Sequence, residues 1–439
     1  MKGLILGTMA ILSMTVFGEN ITTEKLAANL NNPQYIIVDT RESSYFNGWP
    51  EEGRTRGGHI PGATDFSYRW LDEENLNEKN TAILMERLKE KNILNSEKNI
   101  VLYSTSLKEN EKVENYLKKL GVKNIYTYDF NQWEKDDTKP LVQFKGYEKL
   151  VPSYWVNQLI EEKNPKGYDG KGYEIFEVSW GPLNSAVTYL KGHIPGAVHI
   201  NTDNIEPPPE WMINSDGNLI NFAKSMGVNK DKTVVLYGEN VMAAYRLAII
   251  FQYLGVKDVR VLNGGYKAWT REGYPTKAGI ENNSSVRFFG SSQPLNKNYI
   301  LNINEAKEVI ANNKKDQLLV DIRSYDERIG KTSGYTYMLR KGRIKGSVWG
   351  MGGTSSVTLE DYRNIDDTMR NGNEILSMWN KLNIDANKKL VFFCGSGWRA
   401  SEVLFYSEVL GLKGNSIYSN GWMEWSKNST NPIEMGVEK

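Results

Sequence analysis

Short apolar runs closed by polar or turn residues recur along the chain, separated by longer stretches whose apolar positions keep helical spacing. Ile36-Ile37-Val38 ends in Asp39, Ile100-Val101-Leu102-Tyr103 in Ser104, and Val234-Val235-Leu236-Tyr237 in Gly238. Leu318-Leu319-Val320 ends in Asp321, and Leu390-Val391-Phe392-Phe393 in Cys394. Runs this short and this continuously apolar read as strands covered on both faces, as in parallel sheets. Stretches such as Thr23–Leu30, and residues 400–410 with Val403, Leu404 and Leu410 at helical spacing, read as helices. The alternation predicts α/β units, each a mainly parallel sheet with helices on both faces.

The pattern repeats at domain scale. Gly58-His59-Ile60-Pro61-Gly62-Ala63 returns as Gly192-His193-Ile194-Pro195-Gly196-Ala197, and Val101-Leu102-Tyr103 as Val235-Leu236-Tyr237. Leu120-Gly121-Val122-Lys123 returns as Leu254-Gly255-Val256-Lys257, and all three matches share one offset, 134 residues. A constant offset across separate matches marks a tandem duplication. A third, looser copy has Gly342-Arg343-Ile344-Lys345-Gly346-Ser347 in place of the turn and Leu319-Val320-Asp321-Ile322-Arg323 against Ile37-Val38-Asp39-Thr40-Arg41. Proline and glycines set the turn itself, and His59 and His193 in it read as hydrogen-bonding core residues rather than ligands. Linkers are expected at 139–152 and 277–294, giving repeats at 19–146, 147–286 and 287–439.

The length of 439 residues accommodates three domains of ordinary size. A net charge of +1 supplies no basic field for nucleic acid, and no partner of that kind is expected. Residues 1–18 pair Lys2 with an apolar run from Leu4 to Phe17, too short to span a membrane. They read as an export signal cut near Glu19, which predicts a periplasmic or secreted protein with no membrane span. One cysteine cannot form a disulfide within the chain. Exported and alone, it is either free and reactive or paired with another molecule. Three histidines and that cysteine leave little material for a metal site, and none is expected.

The cysteine sits in Phe393-Cys394-Gly395-Ser396-Gly397-Trp398-Arg399, between a strand and the start of a helix. A lone cysteine is by default a small buried hydrophobe. Here two glycines let successive amides point into one concavity, the helix start adds unpaired N–H groups, and Arg399 adds a fixed positive fork. That surrounding favours a thiolate, the reactive form. The other copies have Ser104 and Gly238 at this place. Neither offers an activated nucleophile, so repeats one and two are expected to be non-catalytic.

Cys-Gly-Ser-Gly-Trp-Arg after a Val-Phe-Phe strand resembles the active loop of the rhodanese-type sulfurtransferases. The Trp-Arg ending is similar to their three-repeat periplasmic bacterial subgroup. The resemblance implies a ping-pong sulfur transfer without a cofactor, through a persulfide on Cys394. A small anionic sulfur donor loads the sulfur and a thiol or cyanide acceptor takes it. It implies a binding cradle of Gly395, Ser396, Gly397, Trp398 and Arg399. Four residues between Cys394 and Arg399 favour this over the related cysteine phosphatases and arsenate reductases, whose loop is one residue longer. A persulfide carrier without turnover is the other alternative. Charged Arg399 favours thiosulfate as donor over 3-mercaptopyruvate. Arg323 and Arg328 are further candidates to contact the anion at the loop mouth. An Arg399 standing at that mouth should be replaceable without loss of folding.

Overall fold

A computed structural model describes residues 18–312 and 315–438. The expected export signal lies outside the described residues except for Gly18. Among the described residues no helix is long and apolar enough to cross a membrane.

Three five-stranded sheets follow one another, all their pairings parallel. The first holds β1 (Glu19–Asn20), β2 (Tyr35–Asp39), β3 (Thr64–Asp65), β4 (Asn99–Ser104) and β5 (Ile125–Asp129) in the order β1-β5-β4-β2-β3. The second holds β6 (Leu150–Val151), β7 (Tyr173–Ser179), β8 (Ala197–Asn201), β9 (Thr233–Tyr237) and β10 (Asp258–Leu262) in the order β6-β10-β9-β7-β8. The third sheet comprises β11 (Ile300–Leu301), β12 (Gln317–Asp321), β14 (Val348–Trp349), β15 (Lys389–Phe393) and β16 (Ser416–Tyr418), with β13 (Arg343–Ile344) set apart to pair antiparallel with β17 (Ile433–Glu434). Its order, β11-β16-β15-β12-β14, repeats the topology of the other two. The predicted threefold α/β repetition is therefore present strand for strand.

Among the described residues, those from 18 to 41, Ile60–Leu71 and Thr81–Pro140 form one compact unit, and Glu42–His59, Asp72–Asn80 and those from Leu141 onward form another. The second and third sheets share this latter unit. There the helix Val241–Leu254 of the second repeat packs against the helix Trp398–Val409 of the third, with the Tyr245 ring 5.3 Å from Phe405 and 5.2 Å from Tyr406.

The turn residues behave as their chemistry requires. Gly62, Gly196 and Gly346 close the three corresponding turns at φ of 80°, 81° and 88°, where a side chain is strained. His59 bonds the Phe46 carbonyl through Nδ1 at 2.8 Å and stacks on that ring. His193 does the same with Tyr189. Both imidazoles are core groups.

In the third sheet, β12 pairs with β15 in the register Leu319↔Val391 and Asp321↔Phe393. The chain leaves β12 toward β14 on one side and returns as β15 on the other, so the crevice at their carboxyl ends is the topological switch point where α/β sheets place their ligands. Cys394 is the first residue beyond that end of β15.

Candidate active site

The strand-to-helix loop is built by two clamps and one glycine. The carbonyls of Cys394 and Gly395 accept hydrogen bonds from the N–H groups of Trp422 and Met423 at 2.9 and 3.0 Å. They are thereby turned toward the helix Gly421–Lys427. Gly397, at φ 101°, reverses the chain into the helix Trp398–Val409. The Gly397 N–H donates to Cys394 Sγ at 3.1 Å. The N–H groups of Gly395, Ser396, Trp398 and Arg399 have no acceptor among the described residues. The sulfur thus stands at the positive end of a twelve-residue helix, in a loop four of whose amides are unpaired among the described residues. Cys394 is 1% exposed, while Ser396 and Trp398 are half-buried and turn outward.

Arg399 is 1% exposed and does not stand free. Its Nη1 donates to Glu327 Oε2 at 2.8 Å and to the Ser355 carbonyl at 3.1 Å, and its Nη2 donates to Glu327 Oε1 at 2.9 Å. Its Nε has no acceptor among the described residues. Glu327 also closes a capping box, accepting from the Ser324 hydroxyl at 2.9 Å and the Ser324 N–H at 3.1 Å. Burial pushes the Glu327 carboxyl up, but the charge and hydrogen bonds of Arg399, the charge of Arg323 and the Ser324 hydroxyl outweigh it. The carboxyl sits below its ordinary value.

Arg323 and Arg328 are buried and bonded within the third repeat. Arg323 forks onto Asp321 with two bonds of 2.8 Å, donates to the Gly342 carbonyl, and lies over the Trp422 ring at 4.7 Å. Arg41 forms the same fork on Asp39 in the first repeat, over Phe130, where no cysteine exists. Arg328 bonds Asp321, Ser347 and Glu438. Both guanidiniums are buried and bond the Asp321 carboxylate, which must be paired to lie in the core, while Arg323 Nη1 and Arg328 Nε have no acceptor among the described residues. At the corresponding loops, Ser104 donates to Glu109, and a side chain at Gly238 would meet the Val178 carbonyl at 2.6 Å.

The second repeat adds side chains to this loop. Glu206 accepts from the Trp398 indole and pairs with Arg246 Nε at 3.0 Å. Arg246 is 0% exposed, and its other two nitrogens reach Ser401 Oγ at 3.4 Å and Ser419 Oγ at 2.8 Å. Burial raises the Glu206 carboxyl above its ordinary value, against the pull of Arg246 and Trp398. Trp211, on the loop after Glu206, lies 5.4 Å from the ring of Tyr337, which lies 5.4 Å from Tyr335. The Tyr335 ring packs directly on Gly395, where a Cβ would meet it at 2.4 Å. Both phenols are pushed up, first by burial; the charge of Arg399 opposes this at Tyr335, and that of Glu206 adds to it at Tyr337.

Sequence reasoning found the loop and missed Glu206, Arg246, Glu327, Tyr335 and Tyr337. Two signals were available. Ser324-Tyr325-Asp326-Glu327 has the capping-box spacing, and Arg246 is the lone charge in the otherwise apolar helix VMAAYRLAIIFQYL.

A rhodanese-like domain model matches the chain three times, at residues 22–136, 154–272 and 303–428. Thiosulfate sulfurtransferase YnjE of Escherichia coli strain K12 is 36% identical over 400 residues, 91% of this chain and 88% of that protein. The thiosulfate sulfurtransferase of Bos taurus is 25% identical, covering 64% of this chain and 92% of its own. The crystal structure of the anaerobic ergothioneine biosynthesis enzyme from Chlorobium limicola, in complex with its natural substrate trimethyl histidine, superposes with a TM-score of 0.88 at 35% identity, over 96% of this chain and 100% of that one. A structure of an EanB variant as a persulfide in a tetrahedral intermediate state with ergothioneine matches with a TM-score of 0.88 at 35% identity.

Proposed function

We propose that this chain, which belongs to the rhodanese-like domain family, transfers a sulfane sulfur through a persulfide on Cys394 of its third repeat. The observation that carries the reading is the Cys394 sulfur held by the Gly397 N–H at a helix start, with four neighbouring amides unpaired. The Cys394 thiolate attacks the outer sulfur of thiosulfate. The donor S–S bond breaks, and sulfite leaves with the electron pair. The terminal sulfur of Cys394-S-S⁻ then accepts from the unpaired N–H groups of the loop, Gly395, Ser396, Trp398 and Arg399, which stabilise the charge that develops. A thiolate or cyanide attacks that sulfur and restores the Cys394 thiolate, so the cycle needs no cofactor and no external oxidant.

Arg399 keeps one donor, Nε, for the donor anion, while Glu327 fixes the plane of its guanidinium. Arg323 and Arg328 act as scaffold, holding Asp321 under the loop. Relatives named as thiosulfate sulfurtransferases and the free Nε of Arg399 support thiosulfate as donor, with 3-mercaptopyruvate second. Lys2 followed by the apolar run from Leu4 to Phe17 supports export of the protein as part of this reading. Intact mass after thiosulfate treatment tests the chemistry. Wild type gains one sulfur atom that cyanide removes, Cys394→Ser gains none, and a wild type that gains nothing from any sulfane donor overturns the reading.

A second reading is favoured by the aromatic mouth. Trp211, Tyr335, Tyr337 and Trp398, with the Glu206 carboxylate beside them, suit an acceptor that is an organic cation. The substrate named for the Chlorobium limicola enzyme, trimethyl histidine, is of that class. Incubating persulfide-loaded protein with that betaine separates the two. Formation of a carbon–sulfur bond supports the cationic acceptor, and transfer to cyanide alone excludes it.

A further inference from the structure

We infer that Arg246, from the cysteine-less second repeat, is a positioning residue for the Cys394 loop, so that the reactive site is completed by two repeats rather than one. The inference rests on the persulfide reading above and assigns the second repeat a part in it.

The geometry is that of a staple. Arg246 lies in the helix Val241–Leu254, which packs against the helix that begins at Trp398. Its guanidinium bonds Ser401 in the first turn of that helix and Ser419 just before the helix Gly421–Lys427, whose Trp422 and Met423 amides hold the Cys394 and Gly395 carbonyls. One buried group therefore ties together the two elements that shape the loop. Between them it lies against Gly397 itself. A Cβ there would come within 2.6 Å of Arg246 Nη1 and of the Ser419 carbonyl. Gly397 is the residue whose N–H holds the sulfur, so a shift of the guanidinium passes directly to the amide that donates to the sulfur.

A fully buried cation needs a counter-charge, and Glu206 of the same repeat supplies it through Arg246 Nε. The other Glu206 oxygen takes the indole of Trp398, the loop residue that faces outward. A neutral residue of similar length in place of Arg246 would fill the space without reaching both serines, which is the physical reason for an arginine here. It also explains why a repeat without a nucleophile keeps a charged residue in an apolar helix.

The full-length protein is tested as Arg246→Met, Arg246→Lys and the double variant Arg246→Met/Glu206→Gln, by single-turnover sulfur loading from thiosulfate, steady-state kinetics and thermal unfolding. The double variant removes both charges together and so serves if the single one fails to fold. A loop shifted by about an ångström costs on the order of a hundredfold in rate. The expected result is a fall in kcat of about that size in Arg246→Met and in the double variant, with KM changed by less than about threefold and part of the rate regained in Arg246→Lys. Wild-type kcat per folded molecule in both methionine variants overturns the inference, as does a loss found wholly in KM. If wild type itself takes no sulfur from any sulfane donor, it is the persulfide reading that fails. If wild type loads and the variants load equally fast, only the role of Arg246 fails.

Discussion

Arg399 and Glu327 meet as a planar two-bond pair, Nη1 to Oε2 at 2.8 Å and Nη2 to Oε1 at 2.9 Å, with both side chains out of solvent. This changes what the loop arginine is for. Read along the chain, it ends the loop as an exposed fork. In the fold it is half of a buried ion pair whose other half caps a short helix. Arg399→Ala is accordingly expected to cost about 3–5 kcal/mol, the scale of leaving one buried charge unpaired, rather than to spare folding. Denaturant unfolding monitored by circular dichroism measures it, and a change below about 1 kcal/mol would contradict the pairing.

The pair also sets a pH dependence. The Glu327 carboxyl lies below its ordinary value in the folded state, so its ionised form contributes stability above the unfolded value of about 4.3. That contribution is lost as pH falls through the folded value. Wild type is expected to lose stability toward acid more steeply than Glu327→Gln. Thermal midpoints of both proteins between neutral and acid pH check the sign; parallel curves would count against it.

Gly397→Ala places a methyl group at φ 101° and within 2.6 Å of both Arg246 and a backbone carbonyl. Strain and clash together are expected to cost about 2 kcal/mol or more and to abolish sulfur uptake, because the N–H that holds Cys394 moves with them. Mass spectrometry after thiosulfate treatment reads the uptake, and an alanine variant that loads normally would show the left-handed turn to be dispensable.

Ser104→Ala in the first repeat removes a hydroxyl that only bonds Glu109 and receives the Ser106 N–H. About 1 kcal/mol of stability is expected to go with it and no sulfur transfer. Cys394→Ser is expected to do the reverse, folding as wild type and transferring nothing. Impaired loading in Ser104→Ala would place chemistry in more than one repeat.

Tyr337 is 49% exposed and stands between Trp211 and Tyr335. Tyr337→Ala is expected to leave transfer to cyanide near wild type and, under the cationic-acceptor reading, to raise the KM for trimethyl histidine about fivefold or more, the loss of roughly 1 kcal/mol of cation–π contact. Equal effects on both acceptors would remove the aromatic mouth from acceptor choice.

How far the sequence alone determined this protein follows from how local each feature is. Strand runs, turn glycines and helix starts depend on neighbours a few positions away, so the apolar periodicity was enough for the repeated α/β units and for a loop that sets Cys394 between a strand and a helix. Comparison of the copies was enough to single out the third as the one with a thiol. The partners of Arg399 and Arg246 were not legible, because these contacts join residues far apart. Arg399 and Glu327 are 72 positions apart, and Arg246 and Ser419 are 173 apart. Spacing gives an arginine's charge but not whether it faces water or a buried carboxylate. Arg323 and Arg328 looked available for an anion; their partner Asp321 lies only two and seven positions away, and what the sequence left open there was that all three side chains are buried. In the same way, the packing of one repeat's helix on another's brings Arg246 against Gly397, since burying a charged group is possible only where the folded chain assembles its partners around it.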